Sequence, residues 1–221
     1  MNSQRIQGFV EKLAQQKVFE NTTNQFSYDV ASNEIRRNNL INYLLLMYER
    51  KPKVLLVSEA PGYLGMKLTG VPFSSERTLL NHPFYSGNNN FRVEFNGFTE
   101  PSATIVWNVL DAIGYIPLMF PAFPFHPNGA GNPKSNRPPT DTELEIGEKY
   151  LRELIDIFGI KKFLAVGRKA ESTLLKMNIV APYIRHPANG GAKKFRAQIA
   201  KGKSFTNGQV EKEIDKWLKE K

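Results

Sequence analysis

Apolar positions along this chain change their spacing several times, and each change marks an element. Between residues 3 and 15, and again between 34 and 48, apolar side chains recur every three or four positions, the spacing of an amphipathic helix. In the second stretch Ile35, Leu40, Leu44, Leu45 and Met47 form the apolar face. Residues 53–59 break that rhythm. Val54-Leu55-Leu56-Val57 is a continuous apolar run, as expected of a strand covered on both faces in a parallel sheet. Residues 81–99 are rich in Asn, Gly and aromatics and read as a loop, with room for a short hairpin over 91–98. Pro101 can open a helix at its first position; Ile105, Val109, Leu110 and Ile113 share one face of it, and Gly114 ends it.

A second strand is expected over 116–120, followed by the long loop PAFPFHPNGAGNPKSNRPPT. Thr140 and Glu143 have the spacing of a capping box, and Leu151, Leu154, Ile155 and Phe158 follow at helical intervals. KKFLAVG (161–167) reads as the third strand, 168–177 as a short helix and APYIRHP (181–187) as the fourth strand. A helix then begins within NGGAKKFRAQIA, and a terminal one spans 207–221. Strands alternating with helices imply a three-layer α/β/α sandwich whose central parallel sheet has about four strands. The whole of 1–221 is expected to be one domain, with the helices of residues 1–50 packed on its core.

Composition narrows the partners. With 41% hydrophobic residues the chain can build a core, and 30 Lys+Arg against 21 Asp+Glu leave a net charge of +9. An excess of that size suits a polyanion such as nucleic acid, or serves solubility alone. There is no cysteine, so disulfides, thiolate zinc sites and cysteine-held iron–sulfur clusters are excluded. The N-terminus is charged and amphipathic, unlike the apolar core of a signal peptide, and no stretch has the length and apolarity of a membrane span. A cytoplasmic monomer is the expectation. G-x-G-x-x-G, P-loop and G-x-S-x-G motifs and helical His pairs are all missing, so neither a metal nor an organic cofactor is implied.

Three polar features fall just past strand ends, where open α/β sheets bind ligands. They are Glu59, the long loop with His126 and Asn136-Arg137, and His186. Glu59 either faces a ligand or caps the Pro61-Gly62 turn. All three histidines (His82, His126 and His186) precede a proline, which holds each in extended backbone; alone, each reads as a surface loop residue, and it is the convergence of the three strand-end features on one cleft that changes the reading, most for His186. Phe73 ends TGVPF as either a stacking ring or a core plug. Lys193, Lys194 and Arg196 sit near a helix start as either a phosphate site or a solvated face.

These stretches, taken in order, resemble the uracil-DNA glycosylase superfamily. SEAPG is similar to its first motif, closest to the version of the iron–sulfur branch. TGVPF resembles the element that supplies the stacking aromatic, NRPPTDTE and FLAVGRKA match the middle of the family chain, and HPANGG resembles the His-Pro-Ser motif. The similarity spans roughly residues 53–200. It implies that Glu59 and His186 are catalytic and that Phe73 stacks on the base; Ala60, Pro61, Gly62, His126, Asn136, Arg137 and Asn189, near the strand ends, are then expected to bind the substrate, and Lys193, Lys194 and Arg196 to meet DNA phosphates. The chain departs from the family in lacking the cluster cysteines. Pro121 or Ala122 stands where many members read uracil with an Asn. Ala60 replaces a water-positioning Asp, leaving Glu59 next door as the substitute, and Ala188 stands where most members carry Ser.

The implied activity is hydrolysis of the N-glycosidic bond of a flipped uracil or related damaged base in DNA. Its chemistry fits the residues. The sugar becomes cationic and the base anionic as the bond breaks, so a donor such as His186 and a carboxylate such as Glu59 are both useful. A base out of the stack needs a platform such as Phe73. Two alternatives remain: a non-catalytic nucleic-acid-binding relative, and an enzyme acting on free nucleosides or small glycosides.

Overall fold

A computed structural model describes residues 2–87 and 90–200; the helix expected over 207–221 lies outside them. Helix α1 (Asn2–Gln15) and helix α2 (Asn33–Arg50) flank a two-residue strand β1 (Thr22–Thr23). Strand β2 (Val54–Ser58) is buried at every position, as its unbroken apolar run requires. A π-helical turn (Tyr63–Lys67) and two short helices, α3 (Glu76–Asn81) and α4 (Pro83–Ser86), lead to α5 (Pro101–Ile113). Gly114 ends α5 in the left-handed conformation that glycine adopts readily. Strand β3 (Leu118–Pro121), the two-residue β4 (His126–Pro127), α6 (Asp141–Phe158), β5 (Lys162–Val166), α7 (Arg168–Lys176), β6 (Tyr183–Ile184) and α8 (Ala192–Ala200) complete the described chain.

The main sheet has the order β3-β2-β5-β6 and is parallel throughout. Leu55 pairs with Leu118 on one side of β2 and with Phe163 on the other. Helix α1 packs on α2 and α6, and α5 packs on α8. With the sheet between helices, the expected α/β/α layering is present. Phe9 of α1 meets Phe120 of β3 edge-on at 5.6 Å, and the Tyr43 hydroxyl accepts from the Met119 N–H at 2.8 Å, so helices and sheet are tied by packing and by hydrogen bonding. The capping box at Thr140 and Glu143 forms as the spacing predicts, a motif whose cap alone contributes about 1 kcal/mol.

Three local expectations need correcting. Residues 81–99 contain the short helix α4, because Pro83 at its first position and the His82 side chain, which accepts from the Phe84 N–H, start a turn there. No strand forms over 91–98. The buried carboxylate of Glu76 accepts the N–H groups of Phe95, Gly97 and Phe98 and holds that stretch as a loop. The fourth strand is confined to Tyr183–Ile184, since the next N–H, that of Arg185, donates to Gln198 Oε1 and leaves the ladder.

Candidate functional site

The sheet order reverses between β2 and β5: β3 lies to one side of β2, and β5 and β6 extend to the other. A reversal of this kind opens a crevice beyond the carboxyl ends of the two strands. Glu59 follows β2 directly and Gly167 follows β5 directly. Gly167 has φ +95°, and a Cβ there would collide with the Glu59 carboxylate, so only glycine admits the acid to the crevice. Glu59 Oε1 accepts from the Lys169 N–H at 3.2 Å, in the first turn of α7. Negative charge is favoured at such a helix end. The two readings of Glu59 therefore merge. It caps a helix, α7 rather than its own turn, and it also lines a cleft of about 470 Å³.

His186 stands on the same edge, just past β6, and lines the same cleft. Its Nδ1 accepts from the Ala188 N–H at 3.1 Å, which requires that nitrogen to be bare. The ring proton is thereby assigned to Nε2. The supporting turn is tight: Gly191 N–H donates to Ala188 O at 3.0 Å, and a Cβ at Gly191 would collide with the His186 carbonyl. Burial, and then the charge of neighbouring Arg185, push the pKa of His186 down to about 4. At neutral pH it is an uncharged imidazole with one N–H donor.

Phe73 is half-buried and lines the cleft. Its φ is +46°, a left-handed conformation that costs a non-glycine residue about 1–2 kcal/mol. Its carbonyl accepts from the Trp107 indole N–H at 2.9 Å, which fixes the strained turn in place. Ala60, Pro61, Gly62, Asn136 and Asn189 line the cleft as well. Asn136 Oδ1 accepts from the Tyr63 N–H at 2.8 Å, latching the long loop to the π-helical turn.

Other expected residues have different work. His126 is fully buried and does not line the cleft; its Nδ1 meets the Pro61 carbonyl at 2.9 Å and supports the turn after Glu59 from behind. Its burial follows from β4, which pairs His126 with Thr23. Arg137 lines the cleft, but its guanidinium is committed to both carboxylate oxygens of Glu143 at 2.7 Å each and to the carbonyls of Asn128 and Asn21. Burial alone would raise the Glu143 carboxyl, yet hydrogen bonds from Arg137, Thr22 and Thr140 hold it at about 2. Lys193, Lys194 and Arg196 lie outside the cleft lining. Helix α8 buries Phe195 and Ile199, so these cations face outward just beyond the His186 turn. Pro121 and Ala122 are buried and outside the cleft lining, and the Ala122 N–H donates at 2.8 Å to the carbonyl of Ser58, which does line it.

The sequence reading missed Arg168, Tyr183, Arg185, Glu100 and Ser102, which line the cleft too. The Arg168 guanidinium lies 4.0 Å above the Tyr183 ring, and Arg185 Nη2 donates to the Asn189 carbonyl at 3.3 Å. Arg168 was findable, because it follows a strand end in the manner of Glu59. Glu100 caps α5 through the N–H groups of Ser102 and Ala103, and nothing in the sequence around it pointed to a cleft.

Residues 47–219 match the model of a family described as the uracil DNA glycosylase superfamily. In fold the chain is similar to the crystal structure of wild-type Pedobacter heparinus SMUG2, with a TM-score of 0.63 at 16% identity over 99% of this chain and 95% of that one. No curated protein matches the sequence.

Proposed function

Because this chain belongs to the uracil DNA glycosylase superfamily, we propose that it hydrolyses the N-glycosidic bond of a flipped uracil or related damaged base in DNA. The observation that carries this reading is the fixed state of His186, bare at Nδ1 and protonated at Nε2 in a cleft of ligand size. As C1′–N breaks, the bonding pair leaves with the base and negative charge grows on its carbonyl oxygens. The Nε2–H of His186 donates to that charge, and an already placed donor of this type is worth more in the transition state than in the ground state. Glu59 faces the cation left on the sugar and orients a water toward C1′. Water adds its hydroxide there, and its proton ends on the departed base. Phe73 offers the ring on which the flipped base stacks.

A second reading, DNA binding without excision, is favoured by one observation: neither Pro121 nor Ala122 presents a side chain to the cleft. An excision assay separates the two. Oligonucleotides carrying uracil, hypoxanthine, xanthine or a thymine mismatch are incubated with the protein, with free nucleosides as a control. Release of base from at least one oligonucleotide, with nucleosides intact, is expected. DNA binding with no base released selects the second reading, and cleavage of the free nucleosides assigns the protein to small substrates instead.

A further inference from the structure

Phe95 and Phe98 form an edge-to-face pair, with ring centroids 5.9 Å apart, at 45% and 47% exposure. Exposed apolar groups that form a contiguous patch mark contact surfaces, and these two rings touch each other. The loop that carries them is built for rigidity. The Glu76 carboxylate, fully buried, accepts from the N–H groups of Phe95 at 2.7 Å and of Gly97 and Phe98 at 3.3 Å each. Phe98 O in turn accepts from the Arg77 N–H at 3.1 Å. Burying a carboxylate solely to hold a loop has a cost, and what the loop displays is the aromatic pair.

The loop carrying the pair is joined to cleft-lining segments on both sides. Along the chain, Glu100 and Ser102 of the cleft wall follow Phe98 by two and four residues. Through the Arg77 bond the loop is tied to α3, which begins two residues after Ser74, another lining residue beside Phe73. Arg77 and Arg92 are exposed on the flanking residues, beside Glu94, which pairs with Arg36, in a chain of net charge +9. This pattern suits a polyanion that also offers flat faces, which describes a nucleic-acid strand.

We infer that Phe95 and Phe98 form a second aromatic contact, stacking on a base that neighbours the flipped nucleotide and that loses a stacking partner when that nucleotide leaves the helix. The inference rests on the functional reading above and adds a surface outside the cleft. The two rings differ from Phe73 in kind: Phe73 takes the extracted base, whereas this pair takes a base that stays in the strand.

The test uses the full chain and a duplex with a single abasic nucleotide, flanked by 2-aminopurine. Replacing both rings by leucine (Phe95→Leu with Phe98→Leu) keeps apolar bulk and removes the aromatic faces. The double variant should bind this duplex roughly 5- to 100-fold more weakly, the range that one or two lost stacks produce. The change in 2-aminopurine fluorescence seen on binding wild type should be lost, and the melting temperature should stay within a few degrees, since both rings are half in water. If wild type binds the duplex and excises base while the double variant matches it in affinity and fluorescence, the inference fails and the functional reading stands. Self-association of wild type that the leucines abolish, with DNA affinity unchanged, would assign the surface to a second copy instead. A wild-type protein that binds no DNA removes both readings together.

Discussion

Glu59 and Gly167 stand at the carboxyl ends of adjacent strands, and the space that a side chain at 167 would fill is occupied by the Glu59 carboxylate. The acid and the missing Cβ are one feature. Gly167→Ala meets two penalties, a φ of +95° and the collision with Glu59. It should destabilise the protein by about 1–3 kcal/mol, read from urea unfolding, and slow excision by displacing the acid. Stability and excision equal to wild type would mean that Glu59 can turn away at no loss.

Glu59→Gln keeps an amide oxygen to accept from Lys169 N–H and removes the charge. Helix α7 should remain capped and DNA affinity should be similar, while single-turnover excision slows. Wild-type rates in this variant would reduce Glu59 to the cap of α7.

Phe73 joins an aromatic ring to a left-handed backbone. Phe73→Ala should weaken binding to DNA with an abasic or flipped nucleotide by about 1–3 kcal/mol. Phe73→Gly removes the same ring and relieves the backbone, so it should unfold at higher urea concentration than the alanine variant, by about 1 kcal/mol. A steep loss of stability in both variants would make the ring a core plug.

His186→Ala should reduce single-turnover excision by about 10²–10³ while DNA affinity changes less than tenfold. The depressed pKa adds a signature in stability. Unfolded, the imidazole takes a proton near its ordinary value of 6.5, whereas the folded residue resists until about 4. In that window the unfolded chain holds more protons, so folding stability falls as pH drops from 6.5 toward 4. His126, lowered in the same direction chiefly by burial, adds to the trend. Thermal melts of wild type and His186→Gln at pH 7 and pH 5 should show a smaller pH effect in the variant. Equal pH effects would mean that the ring opens to solvent.

Two sets of cations are candidates for the proposed phosphate contacts. Lys193, Lys194 and Arg196 face outward on α8, whereas Arg168 and Arg185 line the cleft. Neutralising a phosphate contact flattens the log–log salt dependence of DNA binding by about one unit per contact. Measuring that slope for Lys193→Gln with Lys194→Gln and Arg196→Gln, and separately for Arg168→Gln, assigns the contacts. An unchanged slope in the triple variant makes the α8 face a solvated one.

The elements that sequence spacing exposes best are those with a local cause. Val54–Val57 had to be a doubly covered strand, and Thr140 with Glu143 had to start a helix, because each pattern carries its own physics within a few residues. The site was legible where it obeys the rule of strand ends, as at Glu59 and His186. It was not legible where a role depends on a distant partner. His126 looks like a ligand until β4 pairs it with Thr23 and seals it. Arg137 looks like a free cation until Glu143 takes its guanidinium. Residues 91–98 look like a hairpin until Glu76 supplies the acceptors that a second strand would have offered.

The Glu143 carboxylate gathers the hydroxyl of Thr22, the guanidinium of Arg137 and the N–H of Thr140 around one buried point. The stretch between Arg137 and Thr140 carries Pro138 and Pro139 of the cleft wall, and Asn136 precedes it. That wall is therefore anchored to a segment more than a hundred residues earlier in the chain. Thr22, a position with no chemistry of its own, thus bears on the shape of the cleft wall, and a graft of the long loop alone into another scaffold would leave its anchor behind.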